Sequence, residues 1–312
     1  LSCRGTNVSV NGQALPHADL LDPMAMSRLG QLELIASRIV EGFLSGKHRS
    51  PYKGSSVEFA EHRHYSPGDE TRLIDWRVLA RSDRCYIKQF EEETNLKCLL
   101  VLDASGSMGF GHSTVTKLRY AQMASACLAR MMLHQQDAVG LAVVDGSLRT
   151  FIPPRSRASH FRVLVEALRS VVAVGPTSLA GELRELGKRL RRRGMIFVLS
   201  DCFDDVEGTL NALHHLRLRG HETILFHTMA PEELSFAFSR WSRFECLETA
   251  GHRIDLDPSA IRKEYLRRVG EFLGRLEAGC GEIGCDYMPL ETSRPLAEVL
   301  GHYLSRRAAR VR

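Results

Sequence analysis

Cys98-Leu99-Leu100-Val101-Leu102-Asp103-Ala104-Ser105-Gly106-Ser107-Met108-Gly109 decides how the rest of the chain is read. Five apolar residues run into an acid, and two hydroxyls follow at alternate positions. A short apolar run of this kind is a buried strand. The glycines after it make a loop that turns Asp103, Ser105 and Ser107 toward one place. One carboxylate and two hydroxyls are hard oxygen donors, which suit Mg²⁺ better than a soft metal.

Downstream, the apolar pattern repeats as strand and helix in alternation. Strand 98–102 leads to a helix near 116–135, on which Leu118, Ala121, Ala124, Ala126 and Leu128 are expected to be buried. Strands follow near 138–144 and 148–152, a hairpin about Gly146. Helices near 159–172 and 179–193 precede the strand Met195-Ile196-Phe197-Val198-Leu199. Then come a helix near 206–219, a strand near 222–227, a hairpin-like stretch near 244–256, a helix near 258–278, a strand near 287–290 and a closing helix. Strands that are apolar throughout, alternating with amphipathic helices, predict an α/β fold with an open, mostly parallel sheet covered on both faces. The late strand is expected to extend the same sheet.

Upstream the character changes. Residues 1–20 read as disordered. Asp22-Pro23 starts a helix, with Asp as N-cap and Pro at the first helical position. Leu29, Leu32, Ile35, Ile39 and Phe43 mark its apolar face, and Gly46 stops it. Val57-Glu58-Phe59 and Tyr86-Ile87-Lys88-Gln89-Phe90 alternate like strands, and Ser66-Pro67-Gly68-Asp69 is a turn. The organisation predicted is therefore a disordered 1–20, an N-terminal helix and small β-rich element over 21–96, an α/β domain over 97–306, and a basic tail at 307–312.

Composition narrows the function classes. The chain has 312 residues and a formal net charge of +5. Its basic runs, Arg189 to Arg193 and Arg306 to Arg312, carry few aromatics, so a specific nucleic-acid surface is not expected. No run approaches the ~20 apolar residues of a membrane span. Residues 1–20 are polar, without the apolar segment of a secretory signal, although the chain begins with Leu and not Met. The eight cysteines show no CxxC pair and no zinc spacing. Reduced thiols and a cytoplasmic location are the expectation.

In open parallel sheets, ligands bind at the carboxyl ends of strands. Three such loops carry oxygen donors: Asp103-x-Ser105-x-Ser107, then Thr177 in Gly175-Pro176-Thr177-Ser178, then Asp201 after the strand 195–199. Two acids and three hydroxyls fit an octahedral Mg²⁺ site with an open position. The plainer alternative is that Asp103 caps the next helix while the serines fill a turn.

This set, in this order, resembles the metal-ion-dependent adhesion site of von Willebrand factor A domains. The resemblance implies that Asp103, Ser105, Ser107 and Thr177 bind the cation directly or through water. It implies that Asp201 acts through water, and that an acidic side chain of a partner protein completes the shell. The stretches Ser50-Pro51-Tyr52-Lys53-Gly54, Glu58-Phe59-Ala60-Glu61-His62-Arg63, Tyr65-Ser66-Pro67-Gly68-Asp69, Arg72-Leu73-Ile74-Asp75-Trp76 and Ala80-Arg81-Ser82 are similar to the signature of the bacterial family labelled domain of unknown function 58. In that family the signature precedes a von Willebrand A-like domain. Members are associated with MoxR-type AAA+ ATPases, which implies a non-enzymatic adaptor and such an ATPase as partner. Within the signature, Trp76 is expected to be a core anchor. Glu58, Glu61, Arg63, Asp69, Arg72, Asp75 and Arg81 are expected to form an ion-pair network or a docking surface.

Other classes leave weaker traces. Gly106 to Ser113 nearly fits a phosphate-binding GxxxxGK[ST] loop, but His112 stands where the lysine belongs. A Mg²⁺-dependent phosphatase with Asp103 as nucleophile would want an acid at 105, where Ser105 stands. A serine nucleophile at Ser107 lacks the first glycine of GxSxG. A surface adhesion module remains the non-enzymatic alternative.

Overall fold

Val101 and its neighbours are buried on both sides because successive strand residues face opposite ways and both faces of this sheet are covered. The computed structural model describes residues 32–45, 59–64, 86–90, 96–111, 115–176, 178–190, 192–238, 242–248 and 253–310. In chain order these form α1 (Leu32–Ser45), β1 (Phe59–His64), β2 (Tyr86–Phe90), β3 (Lys97–Asp103), α2 (Lys117–His134), β4 (Ala138–Val144), β5 (Leu148–Arg155), α3 (His160–Ser170), α4 (Leu179–Arg189) and β6 (Met195–Ser200). Then follow α5 (Val206–Leu218), β7 (Glu222–Met229), α6 (Pro231–Ser235), β8 (Ser242–Glu245), β9 (Arg253–Leu256), α7 (Pro258–Ile283), β10 (Asp286–Glu291) and α8 (Leu296–Arg310).

Six strands make one sheet in the order β10-β7-β6-β3-β4-β5. All neighbours are parallel except β4 and β5, which pair antiparallel through the expected hairpin about Gly146. This is the open, mostly parallel α/β sheet that the von Willebrand A-like resemblance implies, and the late strand β10 does extend it. Both edge strands carry proline: Pro153 and Pro154 in β5, and Pro289 in β10. Proline cannot donate to a ladder, so edges are where it is tolerated.

The period-2 alternation of β3 divides the core. Leu100 and Leu102 face one side, with Leu141, Phe197 and Phe226, beneath helices that include α2, α3 and α8. Leu99 and Val101 face the other, with Ile196, Val198 and Leu225, beneath α4, α5 and α7. Leu32, Ile35 and Ile39 of α1 join the first of these clusters, so the N-terminal helix is packed on the sheet domain against α2. α2 itself is almost wholly buried, including Leu118, Ala121, Ala124, Ala126 and Leu128.

β1 and β2 pair antiparallel as a two-stranded element; β2 coincides with the strand expected at 86–90, whereas β1 starts at Phe59, the last residue of the expected 57–59 strand, and runs on to His64. The helix start at Asp22-Pro23, the Ser66-Asp69 turn, Trp76 and the charged signature side chains lie outside the described residues, as do residues 1–20. Cys98, Cys127, Cys202, Cys280 and Cys285 are buried thiols. Among the described residues no helix is long and apolar enough to cross a membrane.

Candidate functional site

The strand order reverses between β3 and β6. From β3 the chain crosses to β4 on one side, and from β6 to β7 on the other. Loops on either side of such a point part from one another, which leaves a crevice at the carboxyl ends of the two strands. Asp103 ends β3 and Asp201 follows β6, and both are fully buried.

Asp103 is held from two directions. Ser105 N–H donates to its Oδ1 at 2.9 Å, and Ser200 Oγ–H donates to its Oδ2 at 2.5 Å. Ser200 Oγ in turn accepts from Cys202 N–H at 2.9 Å. The Ser105 and Ser107 hydroxyls lie 3.1 Å apart. The structure therefore brings Asp103, Ser105 and Ser107 together. Asp103 does not cap the next helix: Thr116 does, its hydroxyl accepting from Arg119 N–H at 3.2 Å. Burial, and after it the negative charge of Asp201, push the Asp103 carboxyl up to about 6, against the hydrogen bonds from Ser200 and Ser105 that favour its ionised form.

The second loop is zipped onto the first. Val174 N–H donates to Ala104 O at 2.9 Å, and Gly106 N–H donates to Gly175 O at 2.9 Å. Gly175 adopts φ +76°, a conformation that suits a residue without Cβ. Thr177 lies two residues on, outside the described residues, as do His112 and Ser113 of the near phosphate-loop match.

Asp201 has a partner that the sequence did not point to. Its Oδ2 accepts from Lys117 Nζ at 2.6 Å, and the same ammonium donates to Glu233 Oε1 at 2.6 Å. The Lys117 and Asp201 side chains have no exposure, and that of Glu233 has 11%. The ammonium also lies 4.4 Å from the centre of the Phe203 ring, a cation–π distance. Glu233 is fixed by accepting at Oε2 from Ala230 N–H at 2.9 Å. The carboxyl end of β7, through α6, thus contributes a third acid.

Lys117 and Glu233 escaped the reading of the sequence. A signal for Lys117 existed: it lies in phase with Ala121, Ala124 and Leu128 on the buried face of α2, where a lone charge demands partners. Nothing local marks Glu233, because 116 residues separate it from Lys117.

His227 completes the floor of the site. Its Nε2 lies 2.9 Å from Asp201 O, so Nε2–H donates to that carbonyl. Burial lowers its pKa to about 4, so the ring is neutral near pH 7 and Nδ1 accepts from Tyr287 Oη–H at 2.8 Å. The next residue after Asp201, Cys202, has φ +53°, uncommon for a side chain with a Cβ. Above the site, the loop that follows β8 presses on the first loop. A Cβ on Gly106 would fall 2.1 Å from Leu247 O. Only glycine lets the two backbones meet at that distance.

As a cation site the arrangement fits hard-ion chemistry. Among the described residues no group of three or more His, Cys, Asp or Glu is placed to hold a metal. A cation here would rest on hydroxyls as much as on carboxylates, which is the donor set of Asp103, Ser105 and Ser107.

Comparison with known proteins places the chain among relatives whose roles are not named. Uncharacterized protein Rv1480 of Mycobacterium tuberculosis (strain ATCC 25618 / H37Rv) is 26% identical over 309 residues, covering 96% of this chain and 95% of that protein. Uncharacterized protein YeaD of Bacillus subtilis (strain 168) is 25% identical over 175 residues, 55% of this chain and 41% of that one. Among solved structures, BatB from Bacteroides thetaiotaomicron aligns with a TM-score of 0.45 at 15% identity, over 69% of this chain and 99% of that one. The SpRpn10 VWA domain aligns with a TM-score of 0.39 at 11% identity, over 67% and 95%. Residues 61–271 match the family model described as protein of unknown function DUF58, and the chain belongs to that family.

Proposed function

We propose that the chain is a non-enzymatic, Mg²⁺-dependent protein-interaction adaptor, working in the cytoplasm with a MoxR-type AAA+ ATPase in the assembly or remodelling of other proteins. The observation that carries this reading is the convergence of Asp103, Ser105 and Ser107 at the switch point between β3 and β6. Asp103, Ser105, Ser107 and Thr177 would hold the ion, with Asp201 acting through water. When bound, the ion supplies a positive centre that an acidic side chain of a partner can meet.

The site's own residues favour holding over reacting. Both oxygens of Asp103 accept hydrogen bonds, which pins the carboxylate in one orientation. His227 has both ring nitrogens engaged, so it is not free to take a proton from Ser105 or Ser107. The burial of Ser200 and Asp103 keeps water from loosening the loop.

The test is affinity capture of partners by the wild-type chain and by Asp103→Ala, with Mg²⁺ and with chelator. Partners recovered only by wild type with Mg²⁺ are the expected result. Recovery of the same partners without metal would overturn the bridging role, and Mg²⁺-dependent hydrolysis of a phosphate ester lost in Asp103→Ala would overturn the non-enzymatic reading.

A further inference from the structure

Three carboxylates, Asp103, Asp201 and Glu233, gather at the ends of β3, β6 and β7, and one ammonium already stands among them. Lys117 Nζ lies 2.6 Å from both Asp201 and Glu233 with no exposure to solvent. It is the first residue of α2. A positive charge at a helix N-terminus is disfavoured by the helix dipole, so the lysine gains nothing from its own helix and is held by the two acids. Phe203 covers it on a further side.

This arrangement bears on how an ion would be held at Asp103. An ion pair in a buried site is screened far less than one in water. Lys117 is shared between Asp201 and Glu233, so Asp201 Oδ2 is already engaged by a positive charge before any divalent ion arrives. Asp201 Oδ2 and Glu233 Oε1 both accept from Lys117, so the donors left free for that ion are the Asp103 carboxylate and neutral hydroxyls. We infer that Lys117 is a built-in competitor for the cation, a positioning residue that occupies Asp201 and keeps the affinity for Mg²⁺ alone low. The ion is then held firmly only when an outside carboxylate supplies the oxygen donor that Asp201, occupied by Lys117, does not. This deepens the proposed function and rests on that reading of the site. Under it, the metal and the acidic partner bind as a pair, and the metal-loaded chain without a partner is scarce.

The experiment is calorimetric titration of the full chain with MgCl₂, in wild type, Lys117→Met, Glu233→Gln and Lys117→Met/Asp103→Asn. Lys117→Met frees Asp201 and is expected to bind Mg²⁺ about tenfold more tightly or better, since one nearby positive charge has gone. The added Asp103→Asn change is expected to abolish that gain, which locates the ion. Glu233→Gln leaves the ammonium to Asp201 alone and is expected to weaken Mg²⁺ binding. It tests the same idea in the opposite direction if Lys117→Met folds poorly. Equal Mg²⁺ affinity in wild type and Lys117→Met, or an unchanged affinity in Glu233→Gln, would overturn the competition while sparing the site. Absence of Mg²⁺ binding in all four proteins would overturn the site as well.

Discussion

Lys117 and Asp201, 84 residues apart in the chain, meet as a fully buried ion pair at 2.6 Å. The pair ties the start of α2 to the end of β6 across the crevice at the centre of the sheet. A buried pair adds little over a well-packed apolar pair, but breaking it strands a charge. Lys117→Ala is expected to lower the stability of the metal-free protein by about 3–5 kcal/mol. Urea denaturation checks this, and a loss within error of zero would mean that water reaches the two acids.

Asp103→Asn keeps the size of the side chain and an oxygen that can accept from Ser105 N–H or Ser200 Oγ–H. It also removes the repulsion between Asp103 and Asp201 that contributes to the raised Asp103 carboxyl. The variant is expected to fold as well as wild type. It is also expected to lose any rise in melting temperature on adding Mg²⁺, because stabilisation by a ligand requires binding to the folded state. Thermal melts with and without MgCl₂ read both expectations.

Gly106→Ala places a methyl group 2.1 Å from Leu247 O and 2.7 Å from Leu247 C, both backbone atoms. The 246–248 loop must move away, at a cost of about 1–3 kcal/mol. Hydrogen exchange is expected to quicken in residues 242–256 and to stay unchanged in β4 and β5. Unchanged exchange in the hairpin would show that the loop does not rest on Gly106 in solution.

Asp137 gives the clearest dependence of stability on pH. Its Oδ1 accepts from Leu96 N–H at 3.1 Å, and burial pushes its carboxyl up to about 6. In the unfolded chain the value is about 3.9. The folded state therefore holds the proton more tightly between those values, and this group's contribution falls as pH rises from about 4 to about 6, then levels off. Asp137→Asn can keep the hydrogen bond from Leu96 without the buried charge. It is expected to be more stable than wild type by about 1–3 kcal/mol at pH 7.5 and equal to it near pH 4. Paired urea denaturation curves at the two pH values provide the measurement.

The apolar runs at 98–102, 138–144 and 195–199 made the strands of the central sheet legible, because strands buried on both faces need unbroken apolar sequence. The loop Asp103-x-Ser105-x-Ser107 was legible as a converging set because its residues are neighbours in the chain. Asp201 was found as a strand-end acid, but its partner was not. An ion pair between α2 and β6 leaves only a lysine on an otherwise apolar helix face. The docking of α1 on α2 was half legible: Leu32, Ile35 and Ile39 marked the face, and nothing local named what it meets. The press of Leu247 on Gly106 depends on where a distant hairpin comes to rest, which is set by the packing of the whole sheet.

Prolines at the two margins of the sheet have a consequence for recognition. Pro153 and Pro154 are consecutive, so a main-chain donor is missing from both sides of β5, and Pro289 removes one from β10. An incoming extended peptide would find gaps in the ladder it needs, and a second copy of the chain would find the same gaps. Strand addition by an extended peptide or by a second copy is thereby discouraged along β5.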